Sequence, residues 1–589
     1  MRLFPFIFLI SCAVLLNAAC AQSNSRHGVQ GVAALTAQAD ESYEDRARRV
    51  LGSNSATNAD SGIDQDLLYK FLLAEIAGQR GNTQLAAQAY LDMARTTQDP
   101  RIARRATEIS LYAKLDELAL EAARIWLAAE ADSPAARQTL ATLLVNSRDL
   151  RAAKPLFKEL LSAASGTDIG HTLMQVQGAL SRYPDRKAAS TLLSELTEPY
   201  LSQAEAHFVR AQAAAAAEDY KSALTSIRRA LQIRPDWDQA ALIQSQLLAR
   251  DDRAAGLRYL EQFLGAHPNS QETRLNYARG LIAERRYPEA REEFQKLLRA
   301  NAENADLAFT VALLSVQIND FEAADRQLRQ ALQLGYKDPN AVRFQIAQVN
   351  EELKRFDEAG RWYQAVEGGE QYVLAHARYA VMLARQNRLD EARAYLRGVE
   401  ARDESQSVQL IQAEAQLLRE VREFEQSFDV LRRALEAQPD QPDLLYDIAL
   451  AAEKVDRLDV VETSLLRLID LRPDHAQAYN ALGYTLADRT DRFSEAQGYI
   501  EKALELSPED PFILDSMGWV QFRMGRIAEG VEFLRRAYDQ RPDPEIAAHL
   551  GEALWVKGRR DEAQKIWQES LKSHPDSEEL QKVIRRFVK

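Results

Sequence analysis

Apolar positions recur along most of this chain with a helical spacing. Beyond about residue 62, a small residue is followed four places on by a large apolar one, then three places later by a second small residue and five later by proline. Ala496, Ile500, Ala503 and Pro508 show the pattern. Positions i, i+4 and i+7 share one face of a helix and proline cannot continue it, so each copy predicts an amphipathic helix with a defined end. The first small residue recurs at Ala223, Gly256, Ala290, Ala324, Ala359, Ala392, Ser427, Val461, Ala496, Gly530 and Ala563, in steps of 33 to 35 residues. The register extends upstream to Ala153, with a degenerate copy near Ala188 between. Ala122 with Trp126, Ala129 and Pro134 makes a further copy, and Asp66 to Asp99 a looser one. A period of this length holds two helices and their turns, and such a unit cannot bury its apolar face alone. The expectation is an all-α solenoid of antiparallel helix hairpins, divergent over residues 63–200 and regular over 201–589.

A different pattern occupies the N-terminus. Leu3 to Leu16 is a short apolar run after Arg2, followed by Asn17, Ala18, Ala19, Cys20 and Ala21. A membrane span needs about 20 apolar residues, so this run fits a signal peptide over residues 1–19. The small residues before Cys20 resemble a bacterial lipobox, in which the cysteine is acylated and becomes the new N-terminus; Asn17 stands where that pattern prefers leucine. Acylation at Cys20, with Ala21 next to it, implies attachment to the outer membrane, facing the periplasm. Cleavage after Ala21 is the alternative, because Ala19-Cys20-Ala21 also reads as an A-x-A site, and it would release a soluble periplasmic protein. Residues 20–62 are poor in large apolar side chains and predict a flexible tether. Within it Ala37 to Leu51 is acidic at its start and basic at its end, which suits a short helix. That segment is either a nascent helix in a linker or one that folds on contact with a partner.

Composition narrows the chemistry. Only 24 Gly and 18 Pro among 589 residues leave the chain dominated by helix formers, which excludes a β-rich fold. A balance of 74 Lys and Arg against 87 Asp and Glu gives a net charge of −13, so no basic field exists to hold nucleic acid. The two cysteines both lie in the N-terminal address, which leaves a mature chain without an internal disulfide. Phosphate-binding, zinc-protease and hydrolase-elbow motifs are all missing, and the eight histidines, His549 among them, are scattered and read as structural. No catalytic residue, cofactor or metal is expected, and the chain is not read as an enzyme.

The last three copies resemble the tetratricopeptide repeat (TPR) family, which implies a TPR solenoid wound into a right-handed superhelix. They carry small residues at Gly483 and Ala496, at Gly518 and Gly530, and at Gly551 and Ala563, where two antiparallel helices must approach closely. Ser427 and Val461 depart from the small anchor, and Gln521 stands where an aromatic is commoner. In TPR arrays the first helix of each hairpin lines the concave face, which implies a protein-binding groove lined by Tyr446, Tyr484, Phe512, Trp519, Phe522 and Trp555. The stretches from Leu67 to Gly81, from Asp99 to Ala106 and from Leu482 to Trp555 are similar to outer-membrane TPR lipoproteins, including the binding partner of a carboxyl-terminal processing protease. That resemblance implies an adaptor whose partners are a periplasmic serine protease and its substrates, cell-wall hydrolases. A scaffold for envelope assembly, in polysaccharide export or outer-membrane protein insertion, is the alternative.

Overall fold

The computed structural model describes residues 65–588 apart from residue 167. The expected signal peptide at 1–19, Cys20, and the tether with its helix at 37–51 lie outside the described residues. Among the described residues every regular element is helical, and the α-helices pair into antiparallel hairpins from Gln65–Gln79 with Thr83–Thr97 to Pro544–Val556 with Arg560–Ser573, before a final single helix Glu578–Phe587. The chain divides into two compact units, one ending at Leu334 and the other beginning at Gly335. Each has its own apolar clusters, such as Phe208, Val209, Ile227 and Leu247 in the first and Leu482, Ile500, Ile513 and Met517 in the second.

One hairpin shows why the residues fold this way. Pro511 opens the helix Pro511–Arg523, where its missing N–H costs nothing, and Asp510 Oδ1 accepts the N–H of Phe512 at 2.9 Å. The helix stops at a left-handed residue, Gly525 with φ of 80°, and the Arg526 N–H closes back onto the Gln521 carbonyl at 2.9 Å. The second helix, Ile527–Gln540, then runs antiparallel until Pro542. The same turn recurs with Lys114, Arg148, Glu218, Arg285, Asn319, Lys354, Asn387, Arg422 and Asp456 in the left-handed position. A side chain there costs roughly 1–2 kcal/mol. The closing hydrogen bond, such as Asp320 N–H to the Ser315 carbonyl at 2.8 Å, helps to offset it.

All eleven anchors from Ala223 to Ala563 fall on the fourth residue of a second helix, and all are buried. Ser427 is accommodated because its hydroxyl donates to the Ala415 carbonyl at 2.9 Å. The upstream copy differs from its sequence reading. Helix Asp116–Ala129 places the wholly buried Ala119 fourth, and Ala122 lies one turn later. Trp126, the large residue of that reading, lies in one apolar cluster with Tyr90 and Met93 of the preceding hairpin, so the bulk sits three places after the register position, which the wholly buried Ala123 occupies.

At Gly518 and Gly530 the close approach is mutual. A Cβ on Gly518 would stand 2.9 Å from the Gly530 carbonyl oxygen, and one on Gly530 would stand 2.8 Å from the Gly518 carbonyl oxygen. Backbone meets backbone here, so neither side can yield. Gly518→Ala is therefore expected to destabilise the second unit by about 1–3 kcal/mol. At about 2–4 °C per kcal/mol for a unit of this size, thermal denaturation followed by circular dichroism would show the loss. An unchanged midpoint would refute the close packing.

Candidate functional site

In the second unit the first helices Ala476–Arg489, Pro511–Arg523, Pro544–Val556 and Glu578–Phe587 touch one another in succession, whereas the second helices make no comparable contact. The first helices therefore form the inner, narrower side of this stack. Their burial agrees: residues 513–521 and 546–554 are buried without interruption, while Ile527–Gln540 buries only one stripe.

Three of the six aromatic residues expected on the inner side converge there. Trp519 lies over the His549 ring with centroids 4.3 Å apart and an interplanar angle of 22°, and it stacks on Phe522 at 5.3 Å. The Tyr484 ring lies 5.9 Å from that of His549. The other three are elsewhere. Trp555 joins a separate cluster, 5.8 Å from Trp567 and 6.0 Å from Phe587. Tyr446 is half-buried beside His475 at 5.5 Å. Phe512 is 42% exposed beneath the Arg541 guanidinium. Trp519 itself is only 7% exposed, so it supports the inner surface more than it presents area to a partner.

Around these rings lies a polar chain absent from the sequence reading. His549 Nδ1 donates to Asp515 Oδ2 at 2.9 Å, His549 Nε2 is 3.5 Å from the Tyr484 hydroxyl, and that hydroxyl donates to Glu545 Oε1 at 3.0 Å. Trp519 Nε1 donates to Asp488 Oδ1 at 3.3 Å, and Arg523 donates to the Asp488 carbonyl at 2.9 Å. One row of contacts thus spans three hairpins. Burial opposes a charge on His549, but Asp515, with Glu545 and Asp488 behind it, outweighs that and pushes its pKa up to about 9. The ring is an imidazolium at neutral pH, and its stacking on Trp519 adds a cation–π contact. Burial also raises the carboxyl groups of Glu545 and Glu552 above the usual carboxylate range, although Arg586 Nη1 stands 3.1 Å from Glu552. Tyr484 holds its proton more tightly still, through burial and the facing carboxylates.

This arrangement holds charge and aromatic surface in place. Among the described residues no group of three or more His, Cys, Asp or Glu is placed to hold a metal, and no helix is long and apolar enough to cross a membrane. A signal for the polar chain did exist in the sequence: Asp515 and His549 are 34 residues apart, as are Glu552 and Arg586. One period carries a position to its counterpart on the next hairpin, so complementary charges at that distance meet.

Because the folded pKa of His549 lies above its ordinary 6.5, its stabilisation is complete below about pH 6.5 and is lost as pH rises through about 9. The loss is on the order of 3 kcal/mol at about 1.4 kcal/mol per unit. Asp515→Asn is expected to lower the unfolding midpoint at pH 6–7 and to flatten its fall between pH 7 and 9. Denaturant titrations at several pH values check both, and parallel pH profiles for the two proteins would contradict the pairing.

The repeat family model and a sequence relative accord with this architecture. A tetratricopeptide repeat family model matches residues 178–238, 246–305, 312–372, 462–511 and 516–578. The TPR repeat-containing protein PA4667 of Pseudomonas aeruginosa is 31% identical over 495 residues, which cover 83% of this chain and 82% of that protein. The tetratricopeptide repeat-containing protein trd-1 of Caenorhabditis elegans is 23% identical over 172 residues, 28% of this chain and 22% of that protein. Among solved structures, a chain of the APC/C hetero-tetramer Cut9-Hcn1 is 13% identical, with 90% of this chain and 97% of that chain covered at a TM-score of 0.29. On its matched repeats and its identity to PA4667, this chain belongs to the tetratricopeptide repeat family.

Proposed function

We propose that the chain is a non-enzymatic adaptor, held by an acylated Cys20 at the periplasmic face of the outer membrane, that brings a carboxyl-terminal processing protease together with cell-wall hydrolases. TPR proteins act as scaffolds for protein partners, and the observation carrying this reading is the inner surface of the second unit. There Tyr484 and Phe522 are half-buried on successive first helices, among acidic groups already held in place, and Trp555 is half-buried on the next first helix within its own cluster with Trp567 and Phe587. Aromatic side chains fixed by packing lose little entropy on binding, so they serve as anchors. The narrower assignment rests on resemblance along the repeats and on the small residues preceding Cys20. Its mechanism is proximity: two proteins held on one scaffold meet at an effective concentration far above their free one.

An envelope pull-down with the full chain tests the partner. Recovery of a serine protease with a hydrolase is expected, and recovery of export or insertion machinery would favour the assembly scaffold instead. Phe522→Ala combined with Trp555→Ala is expected to weaken capture by about 30-fold or more, roughly 2 kcal/mol, with the helical content unchanged. Undiminished capture would remove this surface from the function. Cys20→Ala is expected to move the protein from the membrane to the soluble fraction, and retention in the membrane would overturn the lipid anchor.

A further inference from the structure

The first described helix, Gln65–Gln79, is apolar on two faces. One face packs on Thr83–Thr97 through Phe71, Ala74 and Ala77, with the Phe71 and Tyr90 rings edge to face at 6.2 Å. The other is open: Tyr69 is 64% exposed, Ile76 45% and Leu68 36%, and Leu72 is half-buried between them. No other described helix exposes more than two large apolar side chains. Leu68, Leu72 and Ile76 are spaced by four, with Tyr69 alongside, so they form one stripe along the helix. Further along the chain such a face is occupied. Pro442–Lys454, for example, packs on the second helix of the hairpin before it, Phe424–Ala437. Gln65–Gln79 has no described helix in that position.

We propose that residues 37–51 of this same chain form the missing helix and dock on the Leu68–Tyr69–Leu72–Ile76 stripe, completing the stack. Ala39, Tyr43, Ala47, Val50 and Leu51 are spaced by four, four, three and one, which places them on one face of a helix, and the rest of the segment from Asp40 onward is largely charged. The segment therefore carries an apolar stripe long enough to cover the open one. A fifteen-residue helix is marginal alone in water, and burial against the open stripe supplies what it lacks. Residues 52–64 join the two, with Gly52 and Gly62 among polar side chains. Neighbouring helix axes lie about 8–10 Å apart, whereas thirteen residues extend to about 40 Å, so the connection permits an antiparallel return without strain. Covalent linkage gives the segment a millimolar effective concentration at the stripe, ahead of any free competitor. The proposal is independent of the inner surface of the second unit.

Amide hydrogen exchange on the full mature chain tests it. The amides of residues 37–51 and the outer face of Gln65–Gln79 are expected to be protected together. Val50→Asp with Leu51→Asp is expected to speed exchange across 65–79 by tenfold or more while leaving Pro511–Arg523 unchanged. In the reverse direction, Tyr69→Asp, at a site that needs no repacking, is expected to release protection of 37–51 with Thr83–Thr97 unaltered. Equal rates at 37–51 in wild type and Tyr69→Asp would overturn the proposal. So would protection that appears only as protein concentration rises, which would identify a second copy of the chain as the occupant.

Discussion

The structure depends on how closely two helices of a hairpin can cross. At Gly518 and Gly530 the two backbones leave no space for a methyl group, and at Gly483 an added Cβ would meet the Ala496 carbonyl oxygen at 2.9 Å. At Gly551 it would run into the Trp567 indole. This contact sets the spacing between the helices, and the spacing decides which large residue fills the remaining volume: Ile500, Leu534 and Trp567, each four places after its small anchor and each buried. Because dense interiors yield little, one crowded crossing constrains the hairpins on either side.

Repetition turns that local constraint into a surface. When first helices touch in succession and second helices do not, equivalent positions on neighbouring hairpins line up along the inner side. Side chains one period apart become neighbours, which is why Asp515 meets His549 and Glu552 meets Arg586. Tyr484, on a first helix two hairpins earlier, reaches Glu545, 61 residues along. Burying an imidazolium is unfavourable unless a carboxylate is held beside it, and the stack supplies that partner from a different hairpin. The polar chain consequently ties hairpins together and gives the inner surface a fixed pattern of charge among its aromatic rings.

A scaffold needs this rigidity. A partner that docks on a surface already ordered loses less free energy to ordering it, so modest contacts suffice for recognition. The membership of this chain in the tetratricopeptide repeat family and the half-buried rings of Tyr484, Phe522 and Trp555 are two views of the same property, a repeated backbone that displays side chains in register.

Much of the fold was legible without coordinates, because helix–helix packing imposes a local, periodic rule. A small residue every 33 to 35 positions located the fourth residue of each second helix from Ala223 to Ala563, and prolines such as Pro508 and Pro542 marked where those helices stop. The hairpin turns were not legible. Lys, Arg, Glu, Asn and Asp all occupy the left-handed position, and the hydrogen bond that keeps them there is made by the backbone, which no side-chain pattern reports. The inner surface was half legible: helical register placed Tyr484, Trp519 and Phe522 on one side, but which of them is buried depends on the neighbouring hairpin. Spacing by one period marked Asp515 and His549 as neighbours, but the charge on His549 was not legible, since it exists only where that carboxylate is folded against the ring in a largely buried site. Periodicity is a property of the chain, whereas burial and protonation belong to the assembled stack.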